Sequence, residues 1–192
     1  ARAFHEAYYR PATATMIVSG NFDPAELDRL GDRYFGDIQN PEKPVPVMTR
    51  PVETARTQPR FVEAYAPNVP LPAVATIYPG PRASDADTAA LDVLSAIMSR
   101  GDNSRLHQAL VYRTQLAAGA SLFANTMEED GVITANATVA QGKSIADVEA
   151  ALAAEIARIR EQPVTAEELA EAKTELVTAD LRQRETASGR AF

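Results

Sequence analysis

Val132-Ile133-Thr134-Ala135-Asn136-Ala137-Thr138-Val139 alternates without a fault, with Ile133, Ala135, Ala137 and Val139 on one side and Thr134, Asn136 and Thr138 on the other. Successive side chains of a strand point to opposite faces, so this octet predicts a strand buried on one face only, as in an antiparallel sheet with a single covered side. The cover is predicted immediately downstream. From Ser144 to Arg160 the apolar residues Ile145, Val148, Leu152, Ile156 and Ile159 recur at helical spacing, and Pro163 closes the segment. Thr165 followed by Glu168 has the pattern of a capping box, opening a final long helix with Leu169, Ala172 and Leu176 on its apolar stripe. The prediction is an α+β fold: an antiparallel-rich sheet with helices packed mainly on one face, in two layers.

Upstream of the octet, Arg60–Tyr65 and Ala73–Tyr78 are strand candidates, and Pro79-Gly80-Pro81 reads as a turn. Ser84 is placed to cap a helix carrying Leu91, Leu94, Ile97 and Met98. Gly101-Asp102-Asn103 breaks it, and Ser104 is placed to cap the next, with Leu106, Leu110 and Val111. Residues 1–40 read as helix, strand (Thr15–Ser19) and helix. In the second of those helices Asp23 caps, Pro24 opens, Glu26 can reach back, Leu27, Leu30, Tyr34 and Phe35 form the apolar side, and Gly36 stops it. Between Pro41 and Pro59 stand five prolines, at 41, 44, 46, 51 and 59. Proline fixes φ and removes a donor, so 41–59 is predicted to be a linker between residues 1–40 and a domain over 60–192.

The 192 residues carry a formal charge of -7 and no run of Lys or Arg that could track phosphates, which argues against a nucleic-acid partner. No apolar stretch is long enough to span a bilayer, and the start lacks a signal-peptide pattern. With no cysteine, disulfides, thiolate nucleophiles and sulfur-based zinc sites are excluded, while the compartment, cytoplasmic or periplasmic, stays open. The chain begins Ala1-Arg2-Ala3 and stops within a helical pattern, as expected of a fragment whose last domain is incomplete.

The chemical inventory is sparse. A zinc hydrolase needs three protein ligands and an open fourth position, yet the only histidines, His5 and His107, are isolated from each other. Each is read as a surface or satisfied histidine. No Gly-x-Ser-x-Gly elbow exists, and Ser104 is simplest as a cap. Glu128-Glu129-Asp130 before Gly131 reads as a hairpin turn. Gly20, Gly101 and Gly119 stand singly, as turn residues rather than a phosphate loop, and Asn136-Ala137-Thr138 is a mid-strand chance match to a glycosylation triplet. No catalytic or metal-binding residue is predicted in this chain.

Four segments in order, Phe4-His5-Glu6-Ala7-Tyr8-Tyr9-Arg10-Pro11, Thr15–Gly20, Asn21-Phe22-Asp23 and Arg33-Tyr34-Phe35-Gly36, resemble the end of a domain of the pitrilysin/insulinase-type zinc metallopeptidases. Ala12 and Thr13 replace that family's usual asparagine region. Ser99–Ala117, reading SRGDNSRLHQALVYRTQLA, is similar to the turn, "SRL" and helix of the family's second domain. The resemblance implies that 1–40 is the tail of a zinc-type domain and 60–192 a non-catalytic second domain of a peptide-binding chamber. It places the zinc motif H-x-x-E-H upstream of Phe4, so zinc, water activation and a glutamate base would belong to the parent protein. Many members also carry a substrate-binding Arg and Tyr, whose positions here are Val111 and Ala118, neither able to supply that charge or hydrogen bond. Two parents fit: the zinc-bearing subunit of a bacterial heterodimer whose partner carries the pair, or a scaffold subunit without peptidase activity. Implied partners are a peptide or unfolded polypeptide and another family subunit, in a homo- or hetero-oligomer.

Overall fold

The structure, a computed structural model, describes residues 1–47 and 57–191. The chain divides into two compact units, Ala1–Glu63 with Arg182–Phe192, and Ala64–Leu181. Residues 48–56 of the predicted linker 41–59 lie outside the described residues.

The second unit is built on the octet quoted above. Strand β1 (Ala73–Gly80), β2 (Ala117–Thr126) and β3 (Gly131–Val139) form an antiparallel sheet in the order β1-β3-β2, so the alternating segment is its central strand. Val74 and Thr76 pair with Ala137 and Ala135 on one side, and Ala120 and Leu122 pair with the same two residues on the other. This face is covered. Ala135 and Ala137 are almost wholly buried and pack with Met98 of α3 (Thr88–Ser99), Leu106 and Leu110 flanking and within the π-helical turn His107–Arg113, and Val148 and Leu152 of α4 (Ile145–Glu161). Small side chains on the central strand let three helical segments approach closely, which is why long ones there reach full burial. On the far side of α3, Ala96 and Ile97 pack against Ala172 of α5 (Ala166–Gln183). The expected α+β architecture, helices on one face, is present.

Several local expectations are corrected. β1 runs through Pro79 to Gly80 instead of turning. Val139 N–H donates to Pro72 C=O, and ladder alternation from that bond leaves Pro79 with its missing donor facing away from β3, where an edge strand tolerates proline. The chain turns at 82–88 instead: Asp85 accepts from Arg82 N–H at 3.0 Å, which encloses Ser84 in the turn, and α3 starts at Thr88 without a side-chain cap. The backbone at Ser104 begins a helix, but its hydroxyl donates to Gly101 C=O at 2.8 Å instead of capping. Gly101 has φ +70, the left-handed turn that glycine permits. Gly119 lies in β2 and not in a turn. Ile145 is half-exposed because it occupies the first turn of α4, where side chains tilt toward the helix start and past the sheet. β2 itself was not predicted, although the hairpin turn at 128–130 was, and that turn does join β2 to β3. Gly131 closes it, since a Cβ there would meet Pro81 C=O at 2.5 Å.

In the first unit, α1 (Arg2–Tyr8) and α2 (Pro24–Phe35) are present. Asp23 caps α2 by accepting from Ala25 N–H at 2.9 Å. Glu26 does not reach back, because Arg29 holds its carboxylate. Gly36 ends α2 with φ -60 and not in a left-handed conformation. Neither Thr15–Ser19 nor Arg60–Tyr65 is a strand: no ladder forms there among the described residues, and Met16, Ile17, Phe61 and Tyr65 are exposed. Strand propensity needs a neighbouring strand to express it. Among this unit's described residues only Arg10 is buried, donating to Lys43 C=O at 2.6 Å. The short helix α6 (Ala187–Ala191) also belongs to this unit.

The core of the second unit makes a direct prediction. Leu110 is fully buried at the centre of the helix–sheet contact, so Leu110→Ala is expected to cost about 2–5 kcal/mol, read as a lowered urea midpoint with an unchanged slope. A cost below about 1 kcal/mol would show that this layer is not the packed core.

Candidate functional site

The sheet has one covered face and, among the described residues, one uncovered face. On the uncovered face, register aligns Ile77 with Thr134 and Phe123, and Ala75 with Asn136 and Ser121. Ile77 is 63% and Phe123 45% exposed, while Ser121 Oγ donates to Asn136 Oδ1 at 2.9 Å across the strands. An apolar row thus lies beside a short polar ladder, with the side chains held by strands and not by loops. Such a surface suits an extended chain with mixed side chains better than a single small molecule.

The two positions singled out by resemblance lie in different settings. Val111 packs against the buried core from the π-helical turn. Ala118 is exposed at a β-bulge, the residue skipped where Ala117 pairs with Val139 and Gly119 with Thr138. His5 stacks on Tyr9 at 4.7 Å, and His107 Nε2 lies 3.8 Å from the exposed Asp102 carboxylate. The histidines belong to different units. Among the described residues no group of three or more His, Asp or Glu could hold a metal ion, so the side chains present do not fit a zinc centre. Asn136 sits in the central strand, tied to Ser121. No helix of the described residues is long and apolar enough to cross a membrane.

The strongest electrostatic feature lies behind the sheet. Arg105 donates from Nε and Nη2 to both Glu168 oxygens at 2.7 and 2.9 Å. Glu168 also completes the capping box, accepting from Thr165 N–H at 2.8 Å while its own N–H donates to Thr165 Oγ1 at 3.1 Å. The bidentate bond from Arg105, reinforced by Thr165, lowers the Glu168 pKa to about 2 against desolvation by burial, which raises it. Asn103 adds a bond to Glu171 at 3.4 Å. The cap was readable in the sequence. Its pairing with Arg105, 63 residues away, was not.

The family model of the peptidase M16 inactive domain matches residues 1–176. Zinc protease PqqE of Helicobacter pylori is 29% identical over 130 residues, covering 66% of this chain and 28% of that protein. The crystal structure of a protease from Helicobacter pylori superposes with TM-score 0.83 at 23% identity, over 99% of this chain and 46% of that one, a likeness of fold. A protein of Bordetella pertussis Tohama I assigned as a zinc protease gives TM-score 0.54 at 27% identity, over 61% of this chain and 64% of that one. The chain therefore spans less than half the length of the two Helicobacter pylori proteins.

Because the folded-state pKa of Glu168 is depressed, the stabilisation from its pair is complete above the ordinary value of 4.5 and is lost as pH falls toward about 2. Glu168→Gln is expected to cost about 1–2 kcal/mol at neutral pH, the range of a partly exposed charge-assisted bond. That difference should shrink to a small part of its neutral-pH value near pH 2, where the wild-type carboxyl is itself becoming neutral. Urea midpoints of both proteins at the two pH values check this, and an equal difference at both would contradict it.

Proposed function

The chain belongs to the family of peptidase M16 inactive domains, and from that membership we propose that it is the non-catalytic segment of a zinc-dependent metalloendopeptidase, walling the chamber in which the peptide lies. The uncovered sheet face carries this reading. Ile77 and Phe123 are exposed on a rigid sheet beside the Ser121–Asn136 ladder, where an extended polypeptide can gain apolar and polar contacts together. In this reading residues 1–40 are the tail of the preceding zinc-type domain, 41–59 the linker and 60–192 the second domain. In the same reading bond cleavage belongs to other parts of the parent, which is supported by a set of described side chains that does not fit zinc.

Val111 and Ala118 offer neither a guanidinium nor a phenol, which supports a parent whose substrate-gripping groups come from a second subunit of the same family. A scaffold subunit with no activity of its own is the competing reading. The purified 192-residue chain is expected to retain no stoichiometric zinc after dialysis and to leave a fluorogenic peptide uncut. Stoichiometric metal or measurable turnover would overturn the assignment. In the full-length protein, Ile77→Lys is expected to lower kcat/KM several-fold with Tm unchanged if the chamber reading holds. Unchanged turnover of an active parent would remove this face from substrate handling.

A further inference from the structure

A groove of about 480 Å³ runs between α3 and the edge strand β2, lined by Asp92, Ser95, Ser99 and Arg100 of α3 and its cap, by Ser121–Ala124, and by Leu176 of α5. Its chemistry is set by how the β2 edge is treated. Ser99 Oγ donates to Leu122 C=O at 2.9 Å and accepts from Leu122 N–H, standing where a neighbouring strand would bond. Those bonds fix the direction of the ladder: the main-chain groups of Leu122 face away from β3, and by alternation so do those of Ala124. One position of the edge is therefore satisfied, and the next opens into the groove. Asp92 and Arg100 line the same groove with opposite charges, and neither side chain takes part in any ion pair or hydrogen bond found among the described residues. Eight residues of helical rise separate them by about 12 Å, which about four residues of extended chain would span.

We propose that this groove binds an extended peptide segment, with a basic side chain at Asp92, a carboxylate about four residues away at Arg100, and main-chain bonds to Ala124. Leu176 supplies the apolar contact for the side chains between. Opposite charges fixed at one spacing on a single helix select a segment by its charge pattern. The Ala124 main chain beside them, turned away from β3, accepts any sequence. The groove would thus act as a selective contact adjoining the permissive open face. The inference rests on the reading that this segment meets extended polypeptide, but it names a different surface.

The test uses three labelled, end-blocked pentapeptides that share a Val-Ala-Val centre and carry Lys and Glu, two Lys, or two Glu at their ends. Fluorescence anisotropy with the full chain is expected to favour the Lys/Glu peptide. Asp92→Lys should weaken that peptide about threefold to fivefold and shift the preference to the two-Glu peptide. Arg100→Glu should shift it to the two-Lys peptide. Both side chains are exposed, so Tm should not move, and a merely structural role would not invert a charge preference. Ala153→Lys, at an exposed position of α4 that belongs to neither surface, should leave the binding unchanged. A preference indifferent to both charge reversals, or no binding at millimolar peptide, overturns the proposal. If Ile77→Lys abolishes binding while Asp92→Lys does not, the groove is excluded and the open-face reading stands.

Discussion

One-sided burial of the central strand is the constraint on which this domain depends. Ala135 and Ala137 are among the most completely buried residues, and because they are small, the side chains from α3, the π-helical turn and α4 all reach the sheet plane. A larger residue at either position would force the helices outward and open voids among their leucines. The opposite face of the same strand carries the polar Thr134, Asn136 and Thr138, each only partly buried. The alternation that builds the core therefore also creates the candidate binding face. Core and candidate binding face share one sequence pattern.

Elements whose information is local were readable from the residues alone. Val132–Val139 and Ser144–Arg160 carry full periods, and the Thr165–Glu168 box states its own geometry, so each appears where expected. β2 was missed because Ala117–Thr126 is rich in Ala with Gly and Asn, residues with little strand preference, and its period of two is carried mainly by Leu122. The better signal was indirect: a hairpin turn at 128–130 requires a strand before it as well as after. Thr15–Ser19 and Arg60–Tyr65 err in the opposite direction, with composition suited to strands but no ladder among the described residues.

The candidate site was legible only as an absence of ligands and nucleophiles. Its positive features are non-local. The Arg105–Glu168 clasp, the Ser99 hydroxyl on the β2 edge and the row Ile77–Thr134–Phe123 each join residues far apart in sequence, and no spacing rule could have paired them. The clasp ties the start of the π-helical segment to the start of α5, and Ser99 ties the end of α3 to β2. Together they hold the helical layer in place while leaving the opposite face free. Under the proposed function this arrangement would present shape and sparse charge to an extended polypeptide.

The most direct measurement is site-specific photo-crosslinking in the full-length protein, with a photoreactive residue placed at Ile77 on the open face or at exposed Ala153 on α4. Incubated with unfolded casein and irradiated, the protein should link to the polypeptide from position 77 and not from position 153. Equal linking from both positions, or linking only from the helical side, would contradict the assignment of the open sheet face as the wall that meets the peptide.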